Sequence, residues 1–319
     1  MSVIEAIRNG DRRALARAIT LVESSRADDE EQAATMLEAL DPSTTESWRV
    51  GISGAPGVGK STFVEVFGLH ALEQGRRVAV LAVDPSSTLG GGSILGDKTR
   101  MERLARDARA FIRPSPSGGE LGGVARRTRD VIRLVEAAGY DLVIVETVGV
   151  GQSETAVAAM TDVFLLLLAP GAGDSLQGVK RGVMELADLI LVNKADGSLV
   201  DAARHVVSDH RAAMALMRPH ETFWTPRVKS CSALTGAGMD AVWTSVSDYF
   251  VAASEHLAGK RGTQAQAALR DEVVRLATAR LNTDPRKREL LDNLEGEVAA
   301  GRLSLRRAAQ ALLGEEAWP

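Results

Sequence analysis

Residues 49–62 read R-V-G-I-S-G-A-P-G-V-G-K-S-T, and no other stretch limits so tightly what this chain can become. A short apolar run containing Val50 and Ile52 feeds a glycine-rich loop, and Lys60, Ser61 and Thr62 then open a segment of helical character. Gly54, Ala55, Pro56, Gly57, Val58, Gly59, Lys60 and Ser61 fit G-x-x-x-x-G-K-[ST], a phosphate-binding loop set between a strand and a helix. Glycines let the backbone take positive φ and come close to a polyphosphate. The loop N–H groups and the helix N-terminus then form a nest for anions. In such a loop Lys60 neutralises the β- and γ-phosphates and the Ser61 hydroxyl serves Mg2+. A nucleoside triphosphate ligand is the expectation.

Apolar runs alternate with helical segments from residue 49 to about 250. The strand candidates are Val50–Ser53, Arg77–Val83, Ala110–Arg113, Leu142–Glu146, Val163–Ala169, Leu189–Asn193 and Thr225–Ser230. Runs of Val, Ile and Leu without polar alternation suit a parallel sheet covered on both faces. The alternation with helices predicts an α/β fold with a doubly wound, mostly parallel sheet. Ahead of it, Ile4, Ile7, Leu15, Ile19 and Val22 show helical spacing and predict two or three amphipathic helices packed on the nucleotide domain. Beyond Tyr249 the chain turns helical again, with Thr283-Asp284-Pro285 breaking the two main helices. The expected divisions are a helical preface over 1–44, a nucleotide domain over 45–254 and a helical arm over 255–319.

Composition narrows the setting. A net charge of −4 gives no global basic field for nucleic acid or anionic lipid. The single cysteine, Cys231, excludes a disulfide framework and a metal site built on several thiolates, and suits a reducing cytoplasm. No apolar run approaches the ~18 residues that span a bilayer, and the first dozen residues do not read as a signal peptide. The five histidines are scattered, and no transition-metal site is expected.

Asn193-Lys194-Ala195-Asp196 follows a strand candidate and forms N-K-x-D. A carboxylate at Asp196 accepts from both N1–H and the exocyclic amino group of guanine, whereas adenine presents a lone pair at N1. A buried acceptor of this kind discriminates strongly, because the wrong base leaves it unpaired. Downstream of a phosphate loop, the four residues favour GTP over ATP. Ser232-Ala233-Leu234, after a further strand, is a weaker partner whose backbone can contact guanine O6. Leu142–Gly149 (L-V-I-V-E-T-V-G) occupies the place of the second acidic motif, with Glu146 as the acid. Glu146 either holds Mg2+ through water or positions the attacking water, and Gly149 can give an N–H to the γ-phosphate. Val150 stands where many small GTPases carry the water-orienting glutamine, and Gln152 comes two places late. Slow intrinsic hydrolysis that needs a partner is expected. Asp84 and Asp97 flank a glycine run and are candidates for a second shell around Mg2+, with a helix cap the other reading for Asp97. Ala169–Asp174, rich in Pro and Gly, leads to Gln177 and Lys180 and reads either as a plain connection or as a third switch.

Taken together, G-A-P-G-V-G-K-S-T, V-D-P-S-S, G-D-K-T-R-M, V-E-T-V-G-V-G-Q-S-E, A-P-G-A-G-D-x-L-Q-G-x-K and N-K-A-D resemble the MeaB/ArgK family. These are G-protein chaperones of adenosylcobalamin-dependent methylmalonyl-CoA mutase, and the resemblance runs over essentially the whole chain. It implies a P-loop GTPase, converting GTP to GDP and phosphate, that forms a homodimer through its C-terminal arm and is stimulated by the mutase. It also implies that nucleotide state gates cofactor loading and protects the mutase. By the same resemblance Asp84, Asp97 and Glu146 lie around Mg2+. The segment 169–180 acts as a switch in which Gln177 and Lys180 are prominent, and Gln152 stands where the family has it. Two rivals remain at this point: an ATP-dependent kinase acting on a transport-binding protein, and a nickel-insertion GTPase of related fold.

Overall fold

The computed structural model describes residues 2–40, 46–83, 101–114, 121–147, 153–171 and 181–314. Seven strands form one sheet: β1 (Trp48–Gly54), β2 (Val78–Val83), β3 (Ala110–Arg113), β4 (Leu142–Thr147), β5 (Val163–Leu168), β6 (Leu189–Val192) and β7 (Arg227–Ser230). Their order is β3-β2-β4-β1-β5-β6-β7, and every pairing is parallel. The doubly wound α/β expectation holds. The last strand starts at Arg227 rather than Thr225, because Pro226 has no N–H to give a ladder and Arg227 N is the first donor, to Asp188 O at 3.1 Å.

Both faces of the sheet are covered, and the side-chain period of two shows how. Ala79, Leu81 and Val83 of β2 pack into one apolar cluster, while Val78 and Val80 pack into the other. The first cluster also takes α2 (Arg12–Glu23) and α6 (Leu121–Ala137), and the second takes α4 (Lys60–Glu73) and α10 (Met239–Ala252). Between these come α5 (Glu102–Arg106), α7 (Ser153–Ala158), α8 (Arg181–Met184) and α9 (Val200–Ala215). The chain opens with three helices: α1 (Val3–Arg8), α2 and α3 (Ala27–Glu38). Ser2 and Glu5 close a capping box on α1, and Asp11 caps α2 through the N–H groups of Arg13 and Ala14. Helix α2 then buries Leu15, Ile19 and Val22 against α6, as their spacing predicts.

The chain resolves into two compact units, Met1–Gln264 and Ala265–Pro319. Helix α11 (Leu257–Thr283) begins in the first unit. There Arg261 donates to both oxygens of Asp162, at 2.8 and 2.6 Å, and to Ser47 O at 2.6 Å. Asp162 also accepts from Arg49 N at 2.9 Å, so the residue entering β5 is bonded to the strand beside it. In the second unit α12 (Pro285–Ala299) starts with Asp284 as cap and Pro285 in its first turn. Leu294 of that helix packs with Ala308 and Ala311 of α13 (Leu305–Leu313).

The segment before β7 is fastened at the amino ends of β5 and β6. His220 Nε2 lies 3.2 Å from Asp188 Oδ1, and Lys260 Nζ lies 2.7 Å from Glu221 Oε1. The hydrogen bond to Asp188 raises the His220 pKa above its ordinary value near 6.5, against desolvation. A raised folded-state value means the contribution is complete below about pH 6.5 and is lost as pH climbs through the folded pKa. Thermal denaturation should therefore show a decline in stability as pH rises past about 6.5 that His220→Gln removes; equal pH profiles for the two proteins would refute this.

Candidate functional site

In an open parallel sheet, ligands lie beyond the carboxyl ends of the strands. Strand β1 ends there at Gly54, and residues 55–59 turn the chain into α4. Gly57 and Gly59 take φ of +80° and +92°, which an L side chain rarely adopts. A Cβ at Gly59 would stand 2.8 Å from Asn193 Nδ2, so the loop rests on Asn193 only because this residue has no side chain. Val58 is buried beneath the loop while Pro56 and Gly57 are exposed at its rim.

Lys60, the first residue of α4, is 9% exposed. Its ammonium donates to Gly54 O at 2.7 Å and Ala55 O at 3.3 Å. Burial pushes its pKa below the ordinary lysine value, while the carboxylates of Glu146 and Glu154 pull it back up. A buried cation bonded to carbonyl oxygens of its own loop suits a loop that receives an anion. Ser61 follows, half-buried, and its Oγ donates to Glu146 Oε1 at 3.2 Å. Thr62 is exposed. Glu146 is 3% exposed and sits beside Ile52 in the β1–β4 register, two residues before Gly54. A hydroxyl and a carboxylate side by side are hard oxygen donors of the kind Mg2+ takes, so the residues present fit that ion. Among the described residues no three His, Cys, Asp or Glu side chains gather as a metal cluster. Asp84, Asp97, Gly149, Gln177 and Lys180 lie outside the described residues.

The second half of the site follows β6 and β7. Asn193, 1% exposed, donates through Nδ2 to Val58 O at 2.9 Å and accepts at Oδ1 from Ala233 N, also at 2.9 Å. Lys194 holds φ of +58° and sends its ammonium to Gly57 O at 2.6 Å. Asp196 accepts a short hydrogen bond from Ser232 Oγ, which in turn accepts from Thr235 N at 3.1 Å. Ser232 and Ala233 are buried and Leu234 is exposed. The structure thus brings the phosphate loop, N-K-x-D and Ser232–Leu234 together through direct hydrogen bonds. Within the Ser232–Leu234 segment, whose backbone the sequence offers to guanine O6, the Ala233 N–H is here engaged by Asn193. Cys231 lies underneath, its thiol pushed up to about 12 by burial, with Sγ 3.9 Å from Asn193 Oδ1.

Two features escaped the sequence reading. Glu154, at the start of α7 and 5% exposed, acts electrostatically on Lys60. The hydroxyls of Ser53 and Thr147 meet at 2.9 Å between the ends of β1 and β4. Glu154 closes the motif V-E-T-V-G-V-G-Q-S-E; an acid in the first turn of a helix reads as an exposed cap unless the helix is known to face the site.

Comparison with known proteins agrees with this geometry. The sequence model of a family described as "Methylmalonyl Co-A mutase-associated GTPase MeaB" matches residues 15–288. A protein of Caulobacter vibrioides named "Putative GTPase" is 53% identical over 95% of this chain and 94% of its own. The mouse (Mus musculus) "Methylmalonic aciduria type A homolog, mitochondrial" is 46% identical over 95% of this chain and 76% of its own. A crystal structure of an "LAO/AO transport system kinase" superposes with a TM-score of 0.79 at 37% identity, covering 98% of this chain and 95% of that one.

The contact between Gly59 and Asn193 yields a coupled prediction. Gly59→Ala forces a Cβ against the amide at an unfavourable φ, and should cost about 1–3 kcal/mol of stability. Asn193→Ala leaves Val58 O and Ala233 N without their partner, and should cost about 1–3 kcal/mol. The double variant should lose less than the sum, since once Asn193 is replaced by alanine no amide remains to collide with. Chemical denaturation of all four proteins measures this, and strict additivity would refute the contact.

Proposed function

Since this chain belongs to the MeaB family of GTPases, we propose that its output is a conformational signal to an adenosylcobalamin-dependent acyl-CoA mutase, with methylmalonyl-CoA mutase the first candidate. As a GTPase it hydrolyses GTP to GDP and phosphate. In the proposed role, nucleotide state gates loading of adenosylcobalamin and protects the mutase from inactivation. The observation that carries this reading is the joining of phosphate loop and N-K-x-D through Asn193, in a chain whose family model names the mutase.

Residue roles follow from the chemistry. Backbone N–H groups over 54–59 cradle the phosphates, with Thr62 in the turn that follows. Lys60 exchanges the carbonyls of Gly54 and Ala55 for phosphoryl oxygens, where its charge stabilises the negative charge that develops in transfer. Ser61 and Glu146, with Asp84 and Asp97, would hold Mg2+, which when bound neutralises charge on the β- and γ-oxygens. Glu146 is placed to fix the attacking water as well, and Gly149, Gln177 and Lys180 are assigned to segments that respond to nucleotide and partner. Asp196, oriented by Ser232, reads guanine N1–H and its amino group, with Lys194, Ala233 and Leu234 around the base.

Further support bears on assembly and setting. Leu269, Val273 and Leu276 of α11 recur at i, i+4 and i+7 and are 64%, 57% and 44% exposed, as an arm shared between two subunits of a homodimer requires. No helix among the described residues is long and apolar enough to cross a membrane. The single cysteine, Cys231, is free and buried, and a cytoplasmic setting without nucleic-acid or membrane partners is part of the proposal.

A second reading rests on the 37% identical structure, which is named a transport system kinase. Nucleotide preference separates the two, because a kinase of that kind binds ATP. Asp196→Ala should cost about 10²-fold or more of the preference for GTP over ATP. An ATP preference in the unaltered protein would favour the kinase. The hydrolysis experiment compares the chain alone and with an adenosylcobalamin-dependent acyl-CoA mutase from the same cell. A slow rate raised at least about tenfold by the mutase supports the chaperone. A rate indifferent to every such mutase leaves a GTPase without this partner.

A further inference from the structure

Helix α7 lies on the sheet face opposite α4, and one missing side chain lets it come close. A Cβ at Gly51 would stand 2.9 Å from Val157 Cγ1 and 2.6 Å from Thr161 Oγ1, so the helix rests directly on the middle of β1. The chain enters α7 from the carboxyl end of β4 and leaves it for the amino end of β5, so α7 runs against the strands. Ser153 and Glu154 precede Val157 by one turn, share its buried helix face, and stand nearer the carboxyl ends. They therefore cover the tip of β1, on the face where the Ser53 and Thr147 hydroxyls meet.

Two buried acids thus reach the phosphate loop from opposite sides of the sheet. Glu146, beside Ile52 in the strand register, is on the α4 face, where it accepts from Ser61 Oγ. Glu154 comes from the α7 face. At the strand tip the Lys60 ammonium is bonded to Gly54 O and Ala55 O. We propose that Glu154 is a positioning residue of the phosphate loop, one that balances the Lys60 charge at rest and so makes nucleotide binding depend on Mg2+.

The charges carry the argument. Burial drives the ammonium towards its neutral form, and the carboxylates of Glu146 and Glu154 oppose this. One ammonium against two carboxylates leaves no surplus of positive charge for a bare diphosphate. Mg2+ cancels much of the charge of a diphosphate, and by the metal reading of Ser61 and Glu146, on which this inference rests, it also engages Glu146. Glu154 then remains as the fixed counter-charge of Lys60. A ligand that arrives without the metal meets the repulsion of Glu154 in full. In a site withdrawn from water such a unit charge counts on the order of tenfold in affinity.

GDP is the probe, titrated by isothermal calorimetry into the full chain with Mg2+ and, separately, with EDTA. The unaltered protein should bind GDP more tightly with Mg2+. Glu154→Gln, which keeps the shape and removes the charge, should tighten metal-free binding on the order of tenfold. With Mg2+ its gain should stay within about threefold, so the preference for the metal falls. Glu154→Asp keeps the charge and should retain the preference of the unaltered protein within about twofold. Metal-free affinity unchanged in Glu154→Gln would overturn the proposal. So would a loss of affinity shared by both variants with and without Mg2+, since that is the mark of packing rather than charge. Equal affinity of the unaltered protein in the two conditions would remove the metal reading together with the inference, which distinguishes the two failures.

Discussion

One buried amide holds the working end of this molecule together. Asn193 donates to the phosphate loop at Val58 O and accepts from the loop after β7 at Ala233 N. Three connections that are far apart in sequence are thereby fixed relative to one another by a single planar group. Such a group cannot be replaced by an apolar residue of similar size, since each buried partner would be left with an unmade hydrogen bond. Lys194, next in sequence and in left-handed conformation, adds a second tie to Gly57 O at 2.6 Å. The distance between phosphate and base, which any nucleotide must match, is thus set by the protein before a ligand arrives.

The parallel sheet divides labour between its two ends. At the carboxyl ends, Gly54, Glu146 and Asn193 stand on or just beyond β1, β4 and β6 and gather at the candidate site. At the amino ends the polar groups face one another: Arg49 grips Glu136 through two bonds at 2.7 and 2.8 Å, and Arg261 grips Asp162. Glu136 and Asp162 are almost fully buried, and each has a guanidinium as partner, as burial of a carboxylate demands. Fixing β1 and β5 at one end leaves the loops at the other free to specialise.

Much of the fold was legible because it rests on periodicity. Runs of Val, Ile and Leu located the strands, and only the ends differed, as at Pro226 before β7. The phosphate loop and N-K-x-D were legible because their chemistry fixes residue type and spacing together. Glu154 was not, because an acid opening a helix carries no mark of which way that helix faces. Ser53 and Thr147 were not, because two hydroxyls 94 residues apart declare themselves only when their strands are paired. The Arg261–Asp162 bond, spanning 99 residues, was invisible for the same reason.

In the proposed role, the Lys60 ammonium resting on Gly54 O and Ala55 O acts as an internal competitor for the phosphate it would bind. An anion that reaches the loop must offer more than the two carbonyls it displaces. Inorganic phosphate or sulfate makes that exchange at little net gain, whereas a polyphosphate tethered to a recognised base brings many contacts at once. The resting lysine therefore works as a filter, keeping the cradle in shape while leaving it indifferent to the small anions that surround it.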